Sequence, residues 1–303
     1  MTSRIRVASY NLRGLKDDPG AAAEVVRRID PDVLLLQEVP RHPFSGVRIW
    51  LFARRCGLRW SGRTRRLSGT GMMTSYRVAA TDSVDIKLPV APRGNPRSYS
   101  AAQVRMRGGR AVTVVSLHLS LLEDERVTHA TRILHEVTTG QALGGTGLGG
   151  KGLGGIGLGG RLGGRLVRVL ATGPHRVSRL IRGILGQSGA DDRRRGLRAD
   201  DRLRGWRADA PMIVGGDLNE DSSGRAWGLL ADRLAMVSSD RPTFPAKSPR
   251  RPIDAIFATS ELTVLPHEEV ELEAELLSAA TDHLPVWVDF DSAPNGGDPA
   301  ATQ

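Results

Sequence analysis

The stretch PMIVGGDLNED, residues 211–221, runs from three apolar side chains, Met212, Ile213 and Val214, through two glycines to Asp217 and Asn219. An apolar run of this kind is covered on both faces, and its polar end is displayed where a loop can carry chemistry. In an extended segment residues i and i+2 face one way, so Asp217 and Asn219 are expected on the same side. There a proton-accepting carboxylate and a carboxamide able to hold a water or an anionic oxygen would stand together. Gly215 and Gly216 would leave the backbone open to a close-lying substrate.

The same design recurs along the chain. Strands are expected at 4–10, 32–37, 71–76, 99–106, 111–118, 211–216, 253–258 and 284–290, and helices at 19–30, 122–138 and 223–234. Pro31 closes the first helix, and an apolar strand follows. Several strands are apolar at successive positions, so both their faces need cover. Two packed sheets with helices outside meet that need, which makes the fold class α/β.

The charge is +10, which taken alone suggests an anionic partner. Its location changes the inference: the segment between Gly140 and Ala210 carries +9, leaving +1 for the rest. That segment begins as a glycine-rich near-repeat, LGGTGLGGKGLGGIGLGGRLGGRL (143–166), too poor in apolar side chains to offset the entropy of ordering so much glycine. It continues through HRVSRLIRGILG (175–186), whose apolar residues recur at helical spacing among arginines. The reading is one domain in two halves, 1–137 and 210–290, interrupted by a flexible Gly/Arg-rich insertion at 138–209 and followed by a disordered tail at 291–303. The insertion is a passive linker or, through 161–207, a contact with an anionic surface. One cysteine, Cys56, excludes a disulfide framework or a cysteine-built zinc site within the chain. There is no signal-peptide pattern and no apolar run of membrane-spanning length, so a cytoplasmic, monomeric protein is expected.

Polar groups gather where the strands end: Asn11, Glu38, His118, Asp217, Asn219, Asp254, Asp282 and His283. Glu38, Asp217 and Asp282 would repel one another if clustered without compensation. A hard divalent cation such as Mg²⁺, bound by a few carboxylate oxygens, removes that conflict. His118 and His283 can donate to phosphate oxygens, and Asp254 is the candidate to orient His283. The inventory fits metal-assisted attack of water on a phosphoester. Singly, each group has an ordinary reading. Asn11 with Gly14 is turn chemistry, and GGDLNED could cap the helix that follows.

Six segments in order, ASYNLRG, LLLQEV, VVSLHLS, VGGDLNE, IDAIF and TDHLPV, resemble the endonuclease/exonuclease/phosphatase superfamily of metal-dependent phosphoesterases. The resemblance spans about 1–137 and 210–290 and implies a four-layer α/β/β/α sandwich. It implies Mg²⁺, with Mn²⁺ as the alternative, held by Glu38 with Asn11 or Asp282. It implies Asp217 as the activator of the nucleophile with Asn219 beside it, and an Asp254–His283 pair with His283 on the scissile phosphate. His118 falls near the leaving group, and Arg97 where several members place a phosphate-contacting arginine. Two departures stand out. Some nuclease branches pair the first histidine with an acid from the strand near 71–76, which here reads GTGMMTSYRV. No aromatic-rich loop of the base-extruding repair type is present. A nucleic-acid substrate predicts salt-sensitive binding carried largely by Arg161 to Arg207, whereas a phospholipid or small phosphoester predicts a neutral rim at the site, which the near-neutral core fits better. The alternative is a degenerate domain that binds nucleic acid or membrane through its basic insertion.

Overall fold

A computed structural model of the chain describes residues 4–41, 45–60, 69–105, 111–141, 203 and 210–291. The strands are β1 (Arg4–Asn11), β2 (Val33–Gln37), β3 (Arg59–Trp60), β4 (Thr70–Thr74), β5 (Ala79–Leu88), β6 (Arg97–Arg105), β7 (Ala111–His118), β8 (Met212–Asp217), β9 (Ala235–Met236), β10 (Asp254–Ala258) and β11 (Val286–Asp291). The helices are α1 (Pro19–Ile29), α2 (Ser45–Arg55), α3 (Glu123–Thr139), α4 (Arg225–Ala231) and α5 (Ala274–Ala280). The strands form two mixed sheets, ordered β11-β1-β2-β4-β3 and β5-β6-β7-β8-β10-β9.

Strand alternation decides the layers. Tyr10, Leu34 and Leu36 face outward from the first sheet and pack with Val25 and Val26 of α1, Ile49 and Phe52 of α2, and Ala280 of α5. Leu117, Val214 and Phe257 face outward from the second and meet Ile133 of α3 and Trp227 and Leu230 of α4. Val7, Val33 and Leu35 from one sheet close on Val112, Val114, Ile213 and Ile256 from the other. The result is α/β/β/α. Burying each such side chain is worth roughly 1.5–3 kcal/mol, so the alternation admits no one-residue slip.

Along these same inter-sheet stripes the chemistry changes toward one edge. The apolar positions give way to Ser9, Asn11 and Gln37 in the first sheet, and to Ser98, Ser100, Ser116, His118, Asp217 and Asp254 in the second, all buried. Buried polar groups need partners. Gln37 Nε2 donates to Ser9 Oγ and to Ser116 Oγ, each at 3.2 Å, and the Ser116 hydroxyl donates to Leu36 O at 2.9 Å. Thr70 Oγ1 lies 2.9 Å from Ser100 Oγ and 3.1 Å from Ser98 Oγ. This hydroxyl seam ties the sheets together beneath the polar edge.

The two glycines of the opening stretch serve packing rather than substrate approach. A Cβ at Gly215 would lie 2.9 Å from Leu35 Cδ1 across the inter-sheet gap. One at Gly216, whose φ is +152°, would lie 1.9 Å from Leu117 O. Asp18 caps α1 by accepting from the amides of Gly20 and Ala21, Pro19 occupies the first turn, and left-handed Asp30 ends the helix before Pro31.

Sequence reading missed α2, α5, β5 and the two-residue strands β3 and β9. β5 shifts register between Thr81 and Val84, which breaks its alternation. α2 exposes Val47 and Leu51 on its outer side, which blurs its amphipathic stripe. Asp291, assigned to the tail, closes β11. The glycine-rich repeat, the basic helix of 175–186 and the remainder of the tail lie outside the described residues. Among the described residues no helix is long and apolar enough to cross a membrane.

Candidate active site

Strand register assembles the polar edge. Ser98 of β6 pairs with His118 of β7, His118 with Asp217 of β8, and Asp217 with Asp254 of β10. In the facing sheet Asn11 ends β1 beside Gln37 of β2, with Glu38 next in the chain. His283 precedes β11, which pairs with β1. Both sheets therefore deliver side chains to one place.

Asp217 is its centre. Its Oδ2 accepts a hydrogen bond from Asn11 Nδ2 at 3.0 Å and lies 3.4 Å from His118 Nε2 and 3.7 Å from His283 Nε2. Its Oδ1 accepts from the Asn219 amide at 2.9 Å. Behind it, His283 Nδ1 is 2.8 Å from Asp254 Oδ2, which also accepts from the Thr243 hydroxyl at 2.6 Å. Phe244 lies against the His283 ring, centroids 4.8 Å apart.

The electrostatics follow from burial. Burial, and then the charge of Asp254, push Asp217 up to about 7, with His283 and the hydrogen bonds from Asn219 and Asn11 acting the other way. A carboxyl near neutrality can both take and hold a proton at working pH. Burial opposes the His283 cation, but Asp254, Asp217 and Asp282 outweigh it and raise that imidazole to about 9. His118 differs: burial, then the cations Arg97, His283 and Arg41, hold it well below the ordinary histidine value. Its Nδ1 is buried and has no partner among the described residues. A neutral His118 donates from one nitrogen only.

The remaining sequence candidates are placed as follows. Asn219 is not extended. Its φ of +57° turns the chain, and its side chain donates to Leu119 O at 3.0 Å, binding the β8 loop to the β7 loop. The expectation that Asp217 and Asn219 point alike as i and i+2 therefore fails, because the strand ends at Asp217 and an Asx-type turn begins there. Asp282 pairs with Arg13, Oδ2 to Nε 3.2 Å, and its charge also reaches His283. Glu38 is half-buried, also left-handed (φ +49°), and its carbonyl accepts from Gly14 N at 2.7 Å. Its charge reaches Arg41 and Arg97. Arg97 is 8 % exposed, feels both Asp217 and Glu38, and leaves Nε without a partner. Thr243, Phe244 and Arg41 were missed, since no periodicity or spacing marks them.

Asp217, Asp254 and His283 each offer a ligand atom within 4.8 Å of the others, a group that could hold a metal ion. Asp254 Oδ2 is already shared between His283 and Thr243, whereas its Oδ1 is buried and unpartnered.

Two sheets closed on each other by an inter-sheet core, with carboxylates, imidazoles and a carboxamide gathered at one edge, define an α/β/β/α sandwich with a buried polar site. The profile of the endonuclease/exonuclease/phosphatase family matches residues 8–283, and the chain belongs to that family of hydrolases. Solved structures agree in fold. An endonuclease/exonuclease/phosphatase from Beutenbergia cavernae superposes with a TM-score of 0.56 at 18 % identity, covering 95 % of this chain and 71 % of that one. The human Nocturnin catalytic domain, with bound sulfate, gives 0.54 at 17 %, covering 96 % and 95 %. ANGEL2, a 2′,3′-cyclic phosphatase in complex with adenosine-2′,3′-vanadate, gives 0.57 at 13 %, covering 95 % of each. Comparison with curated proteins returned no match.

Proposed function

We propose that the chain hydrolyses a phosphodiester or phosphomonoester with a divalent cation, Mg²⁺ or alternatively Mn²⁺, and that Asp217 takes the proton of the attacking water. The observation that carries this is the convergence on Asp217 Oδ2 of Asn11, His118 and His283 at 3.0, 3.4 and 3.7 Å. Three donors around one buried carboxylate oxygen outline a space in which a phosphoryl group could replace Asp217 as their acceptor.

The donor set fits a hard cation. The half-buried Glu38 has no ion-pair partner among the described residues. Burial and the charge of Asp254 raise Asp217, and a bound cation would oppose that rise. Glu38 would hold the ion, with help from Asn11, and the bound ion would neutralise charge on the phosphoryl oxygens. We assign Asp254 and His283 to a hydrogen-bonded pair rather than to the ligand set, because the 2.8 Å contact occupies His283 Nδ1. That pairing keeps the imidazole cationic, with Nε2 turned toward Asp217.

In this reading the water oxygen bonds to phosphorus, its proton passes to Asp217, and the ester P–O bond opposite breaks. His283 Nε2, Asn11 Nδ2 and neutral His118 Nε2 donate to the oxygens on which charge grows. The test is release of p-nitrophenol from bis(p-nitrophenyl) phosphate with and without Mg²⁺ or Mn²⁺. Asp217→Asn is expected to lose about 10²–10⁴ in turnover, the usual worth of a general base. Near-normal turnover in that variant, or activity indifferent to EDTA, contradicts the assignment.

A further inference from the structure

Arg97 and Arg41 are neighbouring cations without an ion-pair partner among the described residues. Arg97 is 8 % exposed and its Nε is buried without a partner. Among the described residues no carboxylate lies within ion-pair distance of either guanidinium. Glu125, the nearest alternative on α3, is committed elsewhere: it accepts from the Ser120 hydroxyl and from the Ala91 amide, both at 2.6 Å. Arg41 Nη1 donates to Pro96 O at 3.2 Å, which sets its guanidinium beside the peptide that leads into Arg97. Space for it is made by Gly69, where a Cβ would lie 2.3 Å from Arg41 Nη2. Burial holds both below the usual arginine range, and the charge of Arg41 adds to that at Arg97. Two neighbouring guanidiniums, one of them buried and unpaired, are costly unless an anion joins them.

Their position says which anion. Ser98, the neighbour of Arg97 in β6, pairs with His118 of β7, so Arg97 stands at the edge where the reacting centre lies. Arg41 lies against Gly69, whose amide donates to Ser98 Oγ at 3.0 Å, and it also donates to Pro96 O. Arg41 therefore stands beside Arg97 at that same edge. We infer that Arg41 and Arg97 form a subsite for a second phosphate of the substrate, beside the one that reacts. The inference rests on the phosphoesterase reading and narrows it to substrates that carry two phosphate groups. Planar guanidinium forks suit such a group, because each can donate two parallel hydrogen bonds.

The test is binding rather than turnover, on the full chain in EDTA, by titration calorimetry. Inorganic pyrophosphate is compared with orthophosphate, and adenosine 3′,5′-bisphosphate with adenosine 5′-monophosphate. The first pair probes phosphates joined through one oxygen, the second phosphates spaced by a sugar as in a nucleic-acid backbone. One of the two-phosphate probes is expected to bind about 10- to 100-fold tighter than its single-phosphate control, the range of a charge-assisted hydrogen bond. Arg41→Gln should remove most of that advantage, with an unchanged thermal melting curve as the control for folding. Wild-type protein that binds neither two-phosphate probe more tightly overturns the subsite, whatever the variant does. So does a folded Arg41→Gln variant that keeps the advantage. Loss of bis(p-nitrophenyl) phosphate hydrolysis with this preference intact would count against the catalytic reading alone.

Discussion

Replacing Asp254 with Asn removes the charge that lies 2.8 Å from His283 Nδ1 while keeping the shape of the side chain. In the native protein burial works against the imidazolium, yet Asp254, Asp217 and Asp282 lift it from 6.5 to about 9. A shift of that size corresponds to about 3 kcal/mol of preference for the charged ring. Its sign is definite. A histidine raised on folding contributes stability that is fully present below its unfolded value near 6.5, and that stability is lost as pH rises through about 9. Asp217, raised to about 7 by burial first, acts in the same sense on the acid side, since ionising it costs the folded state stability between about 4 and 7. In Asp254→Asn the largest opposing charge is gone, burial dominates, and the His283 midpoint should fall to its ordinary value or below. The measurement is an NMR titration of the His283 Cε1–H signal in metal-free buffer, with urea unfolding at pH 6.5, 8 and 9.5. Wild-type stability should decline across that range by an amount on the order of 3 kcal/mol, and the variant should decline far less. A variant midpoint still near 9 would refute the claim that Asp254 holds the charge on His283.

Two further outcomes test the scaffold. Gly215→Ala should destabilise by roughly 1–3 kcal/mol, because its Cβ would meet Leu35 Cδ1 at 2.9 Å and Ile256 Cγ1 at 3.0 Å. Combined with Leu35→Ala, which alone should cost about 2–5 kcal/mol, it should cost less than the sum by about 1 kcal/mol in urea denaturation. Strict additivity would mean that the sheets are not in contact there. Cys56 is buried, and burial raises its thiol to about 12. At pH 8 only about 10⁻⁴ of it is thiolate, so Ellman's reagent should label it orders of magnitude more slowly than a free thiol, at a rate that follows unfolding by urea. Fast labelling of native protein would place Cys56 at the surface.

Much of the architecture was legible in the chain itself. Runs such as VLLLQ and MIVGG demand cover on both faces, and that demand alone predicts sheets packed with helices outside. The capping pattern around α1 was equally readable, because Asp18, Pro19 and Pro31 act within a few residues of themselves. The polar strand ends were readable as a set, for their residue types match one chemistry. β5 and α2 were not, since a register shift and an exposed apolar face hide their periodicity.

What the sequence by itself determined was which residues could take part, because residue type and strand phase are local properties. Which of them meet was decided only by tertiary structure. The register of β7, β8 and β10 brought His118, Asp217 and Asp254 into one row, and closure of the second sheet over Asn11 and His283 completed the group. Pairing of neighbouring strands sent Asn219 to Leu119 and Asp282 to Arg13, and packing within and between the sheets made contacts of the glycines. It also left Arg41 and Arg97 side by side. Position in three dimensions is set by long-range register and burial, and neither is written in the spacing of a single segment.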